Sequence, residues 1–128
     1  TVTPAQEYYK LNYSQVSSET GETPHARVTL SVDGQERQAQ GEGSGPVDAA
    51  LKAIEQIVDS GARLLLYSVN AITTGTDAQG EVTVRLAKGD RVVNGQGADT
   101  DIVIASAKAY LNALNKLRTS QDKVNPQL

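Results

Sequence analysis

The chain has no cysteine, methionine, tryptophan or phenylalanine among its 128 residues, and five tyrosines are its whole aromatic complement. Without cysteine there is no disulfide framework, no thiol nucleophile and no thiolate ligand for zinc. A single histidine, His25, on the outward side of an alternating segment, leaves nothing to build the usual catalytic triads and dyads within this chain. Basic residues are not in excess either. The net charge is -3 and the pI about 5.1, which excludes a surface made for nucleic acid. No apolar run approaches the roughly 20 residues of a membrane span. The opening Thr1-Val2-Thr3-Pro4-Ala5 has neither a basic nor an apolar leader segment, which points to the cytoplasm. A chain with no methionine, even at its start, reads as a piece of a longer polypeptide.

What is present suits one folded domain over 1–128: 38% hydrophobic and 21% charged residues are ordinary for a globular protein. The core has to be built from Val, Ile, Leu, Ala and Tyr. The order of its segments occurs twice, over 8–61 and 64–117. In the first copy, residues 8–16 alternate with Tyr9, Leu11 and Tyr13 on one side, and residues 25–32 alternate with Ala26, Val28, Leu30 and Val32 inward. Asp33-Gly34 between them and residues 35–40 is a two-residue hairpin signal. The return strand 35–40 is nearly all polar, as at a sheet edge or against another subunit. Val47, Ala50, Leu51, Ile54, Ile57 and Val58 then recur at helical spacing, with Pro46 at the first helical position and Gly61 after the end.

The second copy follows the same plan. Residues 64–72 are apolar on both faces and are expected to lie deeper than their counterpart. Residues 73–80 read as a turn-rich loop, 81–86 as a strand, and Lys88-Gly89-Asp90 as a turn into 91–94. Thr100 is the expected N-cap of a helix whose buried stripe is Val103, Ala107, Tyr110, Leu111 and Leu114. Periodicity fades at Arg118, so 118–128 is expected to be a flexible tail. The fold class is α+β: two strand-strand-strand-helix units about a pseudo-twofold axis, with both helices packed on a shared core.

Two glycine segments carry the functional signal. Gly41-Glu42-Gly43-Ser44-Gly45-Pro46-Val47-Asp48 precedes the first helix and Gly95-Gln96-Gly97-Ala98-Asp99-Thr100-Asp101 the second. Gly41 to Gly95 and Gly43 to Gly97 are both 54 residues apart, so the segments read as equivalent hinges. Neither has the Lys-Ser/Thr ending of a phosphate loop or the third glycine of a dinucleotide fingerprint. Asp99 and Asp101 are more simply a helix-start cluster than a cation site. Taken singly, such glycines serve tight turns. Taken as a pair, they would let a small anion approach main-chain N–H groups at two neighbouring helix starts, with the apolar Leu64-Leu65-Leu66-Tyr67 beside them. That combination suits an aliphatic amino acid.

The two hinges, together with Ala105-Ser106-Ala107-Lys108-Ala109-Tyr110-Leu111-Asn112-Ala113-Leu114-Asn115, resemble the C-terminal regulatory (allosteric, dimerisation) domain of 2-isopropylmalate synthase over nearly the whole chain. A closely similar domain closes citramalate synthase. The resemblance implies feedback inhibition by leucine, or by isoleucine for citramalate synthase, of an N-terminal acyltransferase barrel that uses a divalent metal and acetyl-CoA. It also implies a homodimer and no cofactor, catalytic residue or metal within this fragment. It assigns effector binding to Gly43, Ser44, Gly45, Pro46, Val47 and Asp48, to Leu64, Tyr67, Asn70 and Ala71, and to Gly97 and Ala98, with the effector carboxylate at the helix starts and its branched side chain on Leu64, Val47 and Ala71. A purely structural dimerisation module competes with this reading. A small stand-alone enzyme fits least well, for want of reactive side chains.

Overall fold

Asp33 and Gly34 take positive φ, 52° and 84°, and turn the chain into the hairpin their sequence specifies. The computed structural model describes the backbone over residues 7–17, 19–74 and 77–124, and side chains over 7–17, 19–70 and 78–119. The elements are β1 (Tyr9–Ser17), β2 (His25–Val32), β3 (Gln35–Glu42), α1 (Pro46–Val58), β4 (Arg63–Thr74), β5 (Asp77–Lys88), β6 (Arg91–Asp99) and α2 (Ile102–Val124). The strands form two antiparallel sheets, ordered β1-β2-β3 and β4-β5-β6. Each sheet is followed by one helix, which is the expected α+β duplication. Among the described residues no helix is long and apolar enough to cross a membrane.

One core serves both units. Val28 and Leu30 from the first sheet, Val82, Val84 and Leu86 from the second, Leu51 and Ile54 from α1, and Leu111 and Leu114 from α2 belong to a single buried cluster. Each such side chain contributes about 1.5–3 kcal/mol on burial, and neither unit alone supplies enough of them. The helices lie side by side in the same direction. Val103 packs on Ala49 and Ala50 near the two starts, Tyr110 reaches Glu55 further along, and Val58 at the end of α1 lines one cavity with Leu114, midway along α2. Both N-termini therefore sit at the same end of the molecule.

Glycines and alanines set how closely the helices seat. A Cβ on Gly41 would stand 2.5 Å from the Ala53 nitrogen and 2.6 Å from the Ala49 carbonyl oxygen. One on Gly97 would stand 2.5 Å from the Ala105 oxygen and 2.5 Å from the Ala109 nitrogen. Pro46 and Ile102 open the helices 56 residues apart, the same spacing as Ala49 to Ala105. Gly41 thus corresponds to Gly97, and not to Gly95 as the sequence spacing suggested. The second glycine segment is no hinge. It lies inside β6, with Gly97 still paired opposite Val82, because β5 and β6 extend beyond the strands read from the sequence. The true counterpart of Gly43 is Asp99.

Other expectations change in the outer strands. In β1 the register shifts between Leu11 and Tyr13, a bulge that turns Tyr13 outward (52% exposed) and Ser14 and Val16 inward. A matching bulge falls between Leu64 and Leu66 in β4. The described side chains of residues 64–72 are not deep: Leu64, Leu65, Leu66, Tyr67 and Val69 are 36–48% exposed, because β4 is a sheet edge whose backbone packs on β5 and approaches neither helix, with the Tyr67 side chain reaching across to α2. The polar β3 is the other edge type, exposed as expected. The loop read over 73–80 is largely strand, with Thr74 opposite Asp77; residues 75–76 lie outside the described residues. The tail also differs, since α2 continues to Val124. There Arg118 adds contacts of its own, 4.2 Å over the Tyr8 ring, which periodicity of apolar residues does not register. Residues 125–128 lie outside the described residues.

The close seating is directly testable. Gly97→Ala forces α2 off its strand and is expected to cost about 1–3 kcal/mol, seen as a lowered urea midpoint with unchanged slope. Ala98→Ser, exposed on the same strand, stays within about 0.5 kcal/mol.

Candidate functional site

At the end where both helices begin, β3 leaves its sheet through Gly43, whose N–H donates to the Pro24 carbonyl at 3.2 Å. Gly45 is the N-cap of α1, extended at φ -155°, without a side-chain cap, and Pro46 follows at the first helical position. The first main-chain bond of the helix runs from Ala49 N–H to the Gly45 carbonyl at 2.9 Å. The N–H groups of Val47 and Asp48 have no hydrogen-bond partner among the described residues. They are two donors at the positive end of a helix dipole. The Asp48 carboxylate turns back on the hinge instead, accepting from Ser44 N–H at 3.0 Å and pairing with Lys52 at 3.3 Å. The Ser44 N–H donor holds its pKa below the usual aspartate value, opposed by burial and helped by Lys52.

The start of α2 carries a side-chain cap of its own. Asp101, not Thr100, is its cap: Oδ1 accepts from Val103 N–H at 2.8 Å and from Ile104 N–H at 3.5 Å. Asp99 accepts from Asp101 N–H at 2.9 Å and pairs with Lys108 at 3.3 Å, and these contacts, the N–H first, lower its pKa. Among the described residues no three His, Asp or Glu side chains could hold a metal ion. The single histidine is exposed and stands 3.4 Å from Glu42.

The twelve residues singled out by resemblance fall into three places. Gly43, Ser44, Gly45, Pro46, Val47 and Asp48 form the hinge into α1. Gly43 is roofed by α1 itself, since a Cβ there would lie 2.6 Å from the Ala49 nitrogen; Gly45 alone has open space around it. Gly97 is covered by α2, and Ala98 is exposed beside it. On β4, Leu64 and Tyr67 stand opposite the buried Leu86 and Val84 and so face the helix side. Asn70 is exposed on the other face. Ala71 pairs with Gly80, and its side chain lies outside the described residues. Tyr67 reaches Ser106 on α2, hydroxyl to hydroxyl at 2.6 Å, and α2 stands between β4 and the hinge. Within one chain the hinge and β4 do not meet.

Sequence reasoning missed the polar members of the helix packing. Tyr110 donates to Glu55 at 2.6 Å, and Ser60 donates to the same carboxylate at 2.6 Å. Burial and then the Glu55 carboxylate push the tyrosine pKa far up. Ser106 is fully buried and donates to the Ile102 carbonyl at 2.7 Å. Asn115 is buried and bonds the main chain of Tyr9. The available signal was a polar residue interrupting an alanine-rich helical face, at Ser106, Asn112 and Asn115.

Comparison with known proteins adds to this geometry. The family model described as LeuA allosteric (dimerisation) domain matches residues 1–118. The chain is 73% identical over 127 residues to a 2-isopropylmalate synthase of Aromatoleum aromaticum, covering 99% of this chain and 25% of the relative. It is 71% identical over 126 residues to a 2-isopropylmalate synthase of Dechloromonas aromatica, covering 98% and 25%. A third, from Thiobacillus denitrificans, is 66% identical over 122 residues, covering 95% and 24%. The chain spans about a quarter of the length of the curated relatives it matches.

The acidic helix starts predict a pH dependence. Folded-state pKa values of Asp48 and Asp99 lie below their unfolded values, so their contribution is complete above the ordinary aspartate range and is lost as pH falls through the folded values. Thermal midpoints measured from pH 6 downward should therefore drop in acid, and less steeply in the double variant Asp48→Asn, Asp99→Asn.

Proposed function

The chain belongs to the LeuA allosteric (dimerisation) domain family, and we propose that it is the leucine-sensing, feedback-inhibition domain of a cytoplasmic 2-isopropylmalate synthase. The observation that carries the effector reading is the pair of open donors, Val47 N–H and Asp48 N–H, at the uncapped start of α1. An α-carboxylate placed there gains charge-assisted hydrogen bonds and the favourable end of the helix dipole. The start of α2 offers no such pair, because Asp101 occupies the Val103 and Ile104 N–H groups. Its carboxylates, with Asp48, complement the ammonium group of the same amino acid instead. One uncapped and one acid-capped helix start, at the same end of the molecule, together suit a zwitterion better than two identical anion sites would.

The branched side chain needs an apolar wall. The hinge supplies Val47, and the uncovered face of β4 supplies Leu64 and Tyr67, but α2 separates them within one chain. A second copy can bring the missing wall, and the apolar β4 is the surface we assign to the homodimer. An exposed edge strand with this many leucines is otherwise a liability. The catalytic chemistry, with its divalent metal and acetyl-CoA, belongs to the remainder of the parent chain. The relatives' shared name favours leucine over isoleucine.

Two measurements test this. In a thermal-shift panel over the branched-chain amino acids, leucine at one hundred times its Kd should stabilise the domain by about 2.7 kcal/mol, and alanine should do nothing; no shift with any member of the panel contradicts the effector reading. In sedimentation equilibrium the wild-type domain should be a dimer and Val69→Glu a folded monomer, since a charge on the apolar β4 face (Val69 is 46% exposed) harms an interface and leaves the isolated fold intact.

A further inference from the structure

We infer that α2 carries effector occupancy from the helix-start end of the molecule to the chain entering β1, and that Asn115 is the residue that makes the connection. The inference rests on the effector reading above and adds the route by which it acts. Among the described elements α2 alone packs against both sheets, on β5 and β6 from one side and on β1 from the other; α1 meets its own sheet and α2 only. At its first turns α2 is tied to the second sheet through Asp99, Asp101 and the Ser106–Tyr67 bond of 2.6 Å. Nine residues on, roughly 13 Å along the helix axis, Asn115 takes hold of the first sheet.

The grip is specific. Tyr9 N–H donates to Asn115 Oδ1 at 2.9 Å, and Asn115 Nδ2 donates to the Tyr9 carbonyl at 3.0 Å. A side-chain amide, carrying one acceptor and one donor, thus plays the part of a neighbouring strand toward the outermost strand of the sheet. Arg118 backs it, 4.2 Å from the Tyr8 ring centroid and 5.5 Å from that of Tyr9, while holding Asp33 at 3.0 Å. The second unit has no such grip. The position matching Asn115 in α1 is Asp59, which ends that helix in a left-handed conformation at φ 48°, and β4 reaches a helix through the Tyr67 hydroxyl and not through its main chain. Of the two outer strands, the one that leads into the domain has its main chain clasped by a helix side chain, whereas β4 meets α2 through a side-chain hydroxyl. In the parent chain implied by the resemblance, the catalytic barrel lies on the N-terminal side of that strand. A close-packed helix moves as a body and not by gradual bending. A shift of the α2 start on effector binding therefore displaces Tyr9 and the connection ahead of it.

The test uses the full-length enzyme, comparing wild type, Asn115→Ala and Arg118→Gln. Leucine affinity is read by calorimetry and inhibition by steady-state rates at saturating leucine. In wild type, coupling of at least about fivefold is expected, the lower end of ordinary allosteric coupling. In Asn115→Ala the leucine Kd should stay within about twofold while inhibition falls below about twofold, and Arg118→Gln should lose at least about half of the effect. Hydrogen exchange at Tyr9 N–H should respond to leucine in wild type and cease to respond in Asn115→Ala. If Asn115→Ala binds leucine and is inhibited like wild type, the inference is overturned. If that variant does not fold, Arg118→Gln decides by the same criterion, because its side chain is partly exposed and its loss spares the core. If wild type itself binds no leucine, the effector reading fails and this inference falls with it.

Discussion

The close seating of two parallel helices on glycine- and alanine-floored strands is the constraint on which the rest of this molecule depends. Gly41, Gly95 and Gly97 leave room for helix backbone where a side chain would stand, and Ala49, Ala53, Ala105, Ala109 and Ala113 are fully buried above them. Bringing the helices this near to the sheets lets modest aliphatic side chains fill one core without any phenylalanine, tryptophan or methionine. It also fixes the helix direction, so that both N-termini emerge together. The placement of oriented N–H groups and carboxylates at one end is a consequence of packing, and function inherits it.

Duplication supplies the frame, and departures from symmetry supply the specificity. The two units share their strand order, their bulges and the spacing of their helices. They differ where chemistry is needed. One helix start ends in an open glycine cap and the other in an aspartate that consumes its donors. One outer strand is clasped by an asparagine from the neighbouring helix, and the other shows apolar side chains that the described residues leave largely exposed. A symmetric pair of anion sites would discriminate poorly among small carboxylates. An open start beside acidic groups is the arrangement that the proposed zwitterionic effector calls for.

Much of the architecture was legible in the residues. Asp33-Gly34 declared its turn, the stripe from Val47 to Val58 declared α1, and the repeated order declared two similar units. The internal correspondence was misread for a physical reason. Gly41 and Gly95 look alike because both answer the same demand, close approach of helix backbone, which recurs along a strand, and sequence spacing cannot tell whether Gly95 or Gly97 is the counterpart of Gly41. Leu64, Leu65 and Leu66 looked like core because apolarity is read as depth, whereas in an edge strand the same residues mark an unfilled contact. Ser106, Tyr110 and Asn115 could be placed on a helix face from their spacing, but their partners Tyr67, Glu55 and Tyr9 are far along the chain and become neighbours only in the fold. Of the twelve residues singled out by resemblance, those of the α1 hinge are neighbours in sequence; those on β4 and β6 are separated from it by α2, which linear order does not reveal.

The account turns on one amino acid being held at the shared helix-start end. An NMR titration of the isotopically labelled domain with leucine tests this most directly, by the movement of assigned amide resonances. The expected result is that Val47 and Asp48 shift first and furthest, with smaller changes at Val103, Ser106 and Tyr67. Shifts confined to the far ends of the helices, around Val58 and Leu117, or none at saturating leucine, would contradict it.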